Sequence, residues 1–160
     1  MNVLALNPPF HPRYSRSQRS PAVIKSGVIY YPIWLAYATG VLEQSGFNTR
    51  LVDAPAAGHD LRTTVEIAQR FQPRLVVVST STPSIHNDVN VAEAIKQRVP
   101  QAFVVLVGPH VSALPEASLQ LSAAVGGVAR REYDYTVRDL ARVLAGRGDL
   151  STVLGLSYRC

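Results

Sequence analysis

The 160-residue chain has a single cysteine, Cys160, at its last position. One thiol can build neither an internal disulfide framework nor a cysteine-ligated cluster within these residues, and it suits a reducing compartment. Long apolar runs are scarce too: no stretch reaches the roughly 18 uncharged apolar residues that a membrane-spanning helix needs. The chain opens on the strand-like "NVLAL", with no basic segment leading into an apolar run and cleavage site, so the expectation is a cytoplasmic protein without a membrane span. Charge of one sign is confined. The net charge of +5 owes most of its excess to Arg13, Arg16, Arg19 and Lys25 in one segment, and the near balance elsewhere argues against nucleic-acid binding.

Several catalytic signatures are missing as well. No G-x-G-x-x-G follows the first strand-like run; Pro8 and Pro9 stand there instead, so Asp53, placed like a ribose-binding acid, does not signal a dinucleotide. A phosphoacceptor site needs an acidic pair and an aspartate where Asn7 and Ser79 occur. No G-x-S-x-G elbow supports a hydrolase triad. No two of the four histidines have zinc-ligand spacing, and His59 and His86 read as polar surface or capping residues.

What is present is an alternation. Five apolar runs, at 3–6, 49–53, 74–79, 102–108 and 123–129, are rich in Val, Leu and Ala. Amphipathic segments of helical length lie between them, at 32–46, 61–71, 84–98, 113–121 and 134–146. Strands apolar on both faces, each followed by a helix, predict a five-stranded parallel sheet in a three-layer doubly wound α/β domain, with flavodoxin-like order 2-1-3-4-5. Pro32 opens the first helix and Gly46 closes it; Ser84 is a candidate N-cap, with Asp88 complementing the helix dipole. A last apolar run at 152–158 has no partner in that five-stranded sheet. It is read, with 149–160, as a strand or linker leading out of a domain spanning 1–148, which predicts a longer native polypeptide.

In such a sheet, ligands bind beyond the carboxyl ends of the strands. The loops at that edge, "NPPFHPRYSRSQRSPAVIKSGVIYY", "DAPAAGHD", "STSTPSIHND", "GPHVSALPE" and "RREYDYT", are rich in hydroxyls, histidine, glycine and proline. The first far exceeds the usual span of about two to six residues, as functional loops do.

The ordered succession "LALNPPF", "YYPIWLAYATGVLEQSGFNTRLVDAPAAG", "VVVSTSTPSIHNDV", "LVGPHVSALPEA", "REYDYTVRDLARVL" and "LSTVLGLSYR" resembles the amino-terminal cobalamin-binding domain of B12-dependent radical S-adenosylmethionine enzymes, in particular the group that includes the hopanoid-biosynthesis proteins. The resemblance implies a corrinoid over the carboxyl edge of the sheet. Ser79, Thr80, Ser81, Thr82, Pro83 and Ser84 would surround its nucleotide tail. Gly108, Pro109, His110, Val111 and Ser112, with Glu132 and Tyr133, would line the corrin edge, and Asn7, Pro8, Pro9 and His11 would lie after the first strand. It also implies a barrel outside these residues carrying a [4Fe-4S] cluster and S-adenosylmethionine, as cofactors of methyl transfer or related radical chemistry. The D-x-H-x-x-G of many cobalamin domains is replaced by "NPPFHP", so no protein ligand to the metal is expected from His11. Val107 stands where the family often has the first of two glycines, and "RREYDY" replaces a Gly-Glu-x-Glu type of sequence. Two alternatives stay open: a self-contained enzyme or binding protein for a nucleotide or phosphorylated sugar, gripped by Arg13, Arg16, Arg19 and Lys25, and a domain kept as an interaction surface.

Overall fold

The computed structural model describes residues 1–17, 22–23 and 28–159; Arg19, Lys25 and Cys160 lie outside the described residues. In chain order the strands are β1 (Asn2–Asn7), β2 (Tyr14–Ser15), β3 (Ala22–Val23), β4 (Asn48–Asp53), β5 (Leu75–Ser79), β6 (Phe103–Val107), β7 (Gly127–Ala129) and β8 (Leu156–Tyr158). The α-helices are α1 (Ile33–Gln44), α2 (Ala54–Ala57), α3 (Leu61–Phe71), α4 (Ile85–Arg98), α5 (Pro109–Ala113), α6 (Pro115–Gln120) and α7 (Asp134–Arg142).

One sheet has the order β4-β1-β5-β6-β7-β8. Its first five strands are parallel, in the expected order. Their side chains alternate between two cores. Leu4, Leu6, Val76, Val78, Val104 and Leu106 meet α3, α4 and α5 on one face, while Val3, Ala5, Val77, Val105 and Val107 meet α1 and α7 on the other. Runs apolar on both faces are what a doubly covered parallel sheet requires.

The sheet has six strands, one more than expected. The run at 152–158 does have a partner: β8 pairs antiparallel with β7, with Val128 opposite Ser157. Leu156 and Val153 are buried in the α1/α7 core, and the Arg159 guanidinium donates to the carbonyls of Leu119, Ser122 and Val125. The expected strand at 123–129 is shortened to β7, because Ser122–Gly126 turns beneath the Phe103 ring; a Cβ on Gly126 would stand 2.8 Å from it. The helix expected at 113–121 is interrupted at Leu114, which precedes Pro115 and leaves the helical region (φ −129°, ψ 60°). Within the long first loop, β2 and β3 form a small antiparallel ribbon.

Candidate functional site

A crevice of about 770 Å³ opens at the carboxyl edge, where the ends of β5, β6 and β7 meet the amino ends of α1 and α7. Its floor is made of small residues. Ser79 ends β5 and Thr80 follows it, and Gly108 follows the end of β6. The Thr80 N–H and hydroxyl both donate to the Val107 carbonyl, at 2.8 and 2.9 Å, lacing the two strand ends together. That closeness explains Gly108: its φ is +123°, and a Cβ would lie 2.5 Å from the Thr80 carbonyl oxygen. The glycine answers first to its neighbouring loop. Ser112 extends the lacing, donating to the Gly108 carbonyl at 2.9 Å and accepting from the Arg131 N–H at 2.8 Å.

The wall on the α1 side is apolar. Ile33, Trp34 and Tyr37 line the crevice while remaining 47–62% exposed. The same helix buries Leu35, Ala38 and Leu42 in the core. The α7 side brings Arg131, Glu132, Tyr133 and Asp134. Tyr133 is 6% exposed and packs in the α1/α7 core; burial, helped by the Asp134 carboxylate, pushes its phenol well above its ordinary value.

The third wall is Arg16 with Ser17, on the first loop. Arg16 is buried and ion-paired with Asp88 of α4. Its Nη1 donates to the Pro8 carbonyl at 2.7 Å and to Asn7 Oδ1 at 3.2 Å, and its Nε donates to Ser84 Oγ at 3.2 Å. The guanidinium lies 5.3 Å from the Tyr14 ring centre and 5.9 Å from that of Phe10. Hydroxyls complete the cluster: Tyr14 Oη is 2.8 Å from Ser81 Oγ, which is 2.6 Å from Ser84 Oγ, and Ser84 donates to Asp88 Oδ2 at 2.6 Å. Burial pushes the Asp88 carboxyl upward, against the pull of the Arg16 guanidinium and of the Ser84 and Asn87 hydrogen bonds.

These contacts bear on two expectations. Ser84 stands at the amino end of α4 but makes no side-chain cap, because its hydroxyl is engaged in the buried cluster. Asp88 does stand in the first turn of α4, as expected, and is at the same time the buried counter-ion of Arg16. Arg16 is likewise not a free cation for a phosphate, while Arg13 is exposed.

Of the site residues expected from sequence, Ser79, Thr80, Gly108, Pro109, Ser112, Glu132 and Tyr133 line the crevice. The others lie elsewhere. Asn7, Pro8, Pro9, Ser81 and Ser84 are buried around the Arg16 cluster, where Asn7 also donates to Asp53 at 2.8 Å and the Pro9 carbonyl accepts from Asn87 at 2.7 Å. Val111 is wholly buried in the core, and Pro83 is exposed. His110 Nδ1 sits 3.2 Å from Thr82 Oγ1, outside the crevice lining, and His11 is exposed with its ring against Phe10. Sequence reasoning missed Arg16 as a wall and Ile33, Trp34 and Tyr37 as lining the crevice. The signal was available: Trp34 and Tyr37 stand three residues apart on α1, on a different face from Leu35 and Leu42.

Among the described residues, no group of three or more His, Cys, Asp or Glu could hold a metal ion, and no helix is long and apolar enough to cross a membrane. The fold and the edge crevice define an α/β ligand-binding domain. The family model for the B12 binding domain matches residues 19–141, and the chain belongs to that family. It is 27% identical over 128 residues to an uncharacterized methyltransferase of Pyrococcus horikoshii, an alignment covering 80% of this chain and 28% of that protein. The solved structure of OxsB, a cobalamin-dependent S-adenosylmethionine radical enzyme with aqua-cobalamin bound, shares the fold with a TM-score of 0.78 at 16% identity, over 98% of this chain and 20% of that one. The chain thus spans less than a third of either relative.

The crevice fits part of a corrinoid. Its volume lies in the usual range for ligand cavities, about 300–1,000 Å³, and it combines aromatic walls with a floor of small side chains.

Proposed function

We propose that this chain is the cobalamin-binding module of a B12-dependent radical S-adenosylmethionine enzyme of the methyl-transferring or a related kind. The observation that carries the reading is the family match over residues 19–141, joined to a crevice at the sheet edge where that fold binds ligands. Ser79, Thr80, Gly108 and Ser112 would hold the corrinoid from below, Trp34 and Tyr37 from the α1 side, and Glu132 and Tyr133 from the α7 side. When bound, the cofactor supplies a cobalt centre able to carry a methyl group. The chain's own residues position it and shield it from water. The laced loops at Thr80, Gly108 and Arg131 brace the floor, and the Arg16–Asp88 cluster braces the third wall.

A [4Fe-4S] cluster, S-adenosylmethionine and the substrate would belong to a carboxyl-terminal barrel outside these residues, in a cytoplasmic protein. The likeness to the methyltransferase relative and to OxsB supports that assignment. The phosphate-gripping alternative is weakened by Arg16, whose charge is already paired with Asp88.

The test is titration of the purified protein with hydroxocobalamin, followed by desalting and a visible spectrum. Retention of about one corrinoid per chain at micromolar protein is expected on this reading. Complete loss of corrinoid, with ATP or NAD retained instead, would overturn it.

A further inference from the structure

Residues 8–16 form a loop with its own fastening. Arg16 Nη1 donates to the Pro8 carbonyl and draws the two ends together, and the Phe10 and Tyr14 rings pack edge to face at 4.8 Å within it. A short loop closed at its base and packed by its own side chains can move as one piece. Its strand β2 pairs with β3 in a ribbon separate from the six-stranded sheet. Apart from the bond between Arg16 and Asn7 at the loop's own base, its side-chain ties to the domain body among the described residues all go to one place. Tyr14 bonds to Ser81, Arg16 to Ser84 and Asp88, and the Pro9 carbonyl to Asn87, all within residues 81–88. The far end of the same loop, Arg16 with Ser17, is one wall of the crevice.

The position of this loop against α4 carries two local costs. Arg13 holds φ at +60°, in the left-handed region that side chains disfavour. Ser15 is 1% exposed, and its Oγ is the one buried side-chain polar atom among the described residues without a hydrogen-bond partner. The ties to residues 81–88 offset both costs, and separation from α4 would return water to Ser15 Oγ, Arg16 and Asp88 together.

We infer that residues 8–16 are a strap with two positions, closed against α4 in this structure and swung away from it, and that ligand enters and leaves the crevice only past the open strap. The identity of the ligand rests on the proposed corrinoid reading; the movement does not. Because the ties run to α4 and not to the crevice floor, loosening them raises the open population of free and loaded protein alike. Entry and exit then quicken by one factor, and affinity is unchanged. A static wall behaves otherwise, since damage to it speeds exit alone and weakens affinity.

Two variants outside the crevice lining should push the strap in opposite directions. Asn87→Ala removes the bond to the Pro9 carbonyl and should favour opening about fivefold, the size of one net hydrogen bond. Ser15→Ala removes the unpartnered hydroxyl and should disfavour opening by a similar factor. Hydroxocobalamin association and dissociation are read in stopped flow from quenching of Trp34, the chain's one tryptophan. Both rates should rise about fivefold in Asn87→Ala and fall about fivefold in Ser15→Ala, with Kd within about twofold of that of the unaltered protein. In ligand-free protein, trypsin cleavage after Arg16, which is buried under the closed strap, should follow the same order. Equal rates in all three proteins would overturn the inference, as would faster dissociation alone with weaker affinity. Cleavage after Arg16 that is the same in both variants would overturn the movement itself. If the unaltered protein binds no corrinoid, the proposed function falls and the gating with it, while the order of cleavage still decides whether the strap moves.

Discussion

The two sides of the crevice are built on opposite principles. On the side of the first loop, the side chains of Asn7, Ser84 and Asn87 converge on Arg16 and Asp88, and among the described residues only Ser15 Oγ is a buried side-chain polar atom left without a partner. On the side of α1 and α7, aromatic rings stand 58–62% open at Trp34 and Tyr37. The first side is spent on holding the fold together, and the second leaves aromatic surface open to the crevice. Abundance of hydroxyls is therefore a poor guide to function; what matters is whether each has already been used.

Substitutions can break this contrast, beginning with the saturated side. Asp88→Ala leaves the Arg16 guanidinium buried without its counter-ion, and should cost about 3–5 kcal/mol in urea unfolding. A loss under 1 kcal/mol would mean that the cluster is not structural. Gly108→Val should cost about 2–3 kcal/mol, since it combines an unfavourable φ with a clash against the Thr80 backbone. Gly146→Ala, with φ +85° but open space around it, should cost only about 1 kcal/mol. Comparable values would show that the laced floor yields.

The open side should behave in the reverse sense. Trp34→Ala should change stability by no more than about 0.5 kcal/mol, because the side chain is largely exposed, yet weaken hydroxocobalamin retention by about tenfold. Unchanged retention would remove α1 from the site. The smallest effect is remote from both sides. Asp60 caps α3, and its carboxyl is held below its ordinary range by the Thr63 N–H and hydroxyl. Its contribution is present above the unfolded-chain pKa and is lost as pH falls through the lower folded value. Any stability gap between the protein and Asp60→Asn should therefore narrow on acidification, as pH-dependent urea midpoints would show.

The strands were legible because Val- and Leu-rich runs apolar on both faces admit few other structures, and their order followed from the alternation with helices. β8 was harder to place. Three residues carry no usable period, and the antiparallel return onto β7 depends on a turn at Gly155, where φ is +80° and a Cβ would stand 2.8 Å from Thr136 Oγ1. The strand pattern located the edge loops, and the crevice takes residues from four of the five, but the family resemblance had to place individual residues within them. It could not show that Ser81 and Ser84 turn inward, because their partners Tyr14 and Arg16 lie 67 and 68 positions away. Trp34 and Tyr37 were concealed differently: aromatics at helical spacing look like core until the opposite face is seen to be the buried one.

The span of the Arg16–Asp88 pair, 72 positions, has a kinetic consequence. It closes a loop that contains α1, β4, α3 and β5, and the entropy of that closure is recovered only after those elements have docked. The pair is then a latch set after the rate-limiting step: weakening it should accelerate unfolding and leave the folding rate nearly unchanged. In a chevron plot, Asp88→Asn should raise the unfolding limb alone. A lowered folding limb would instead place the latch in the folding nucleus, with the first loop among the earliest parts of the chain to be fixed.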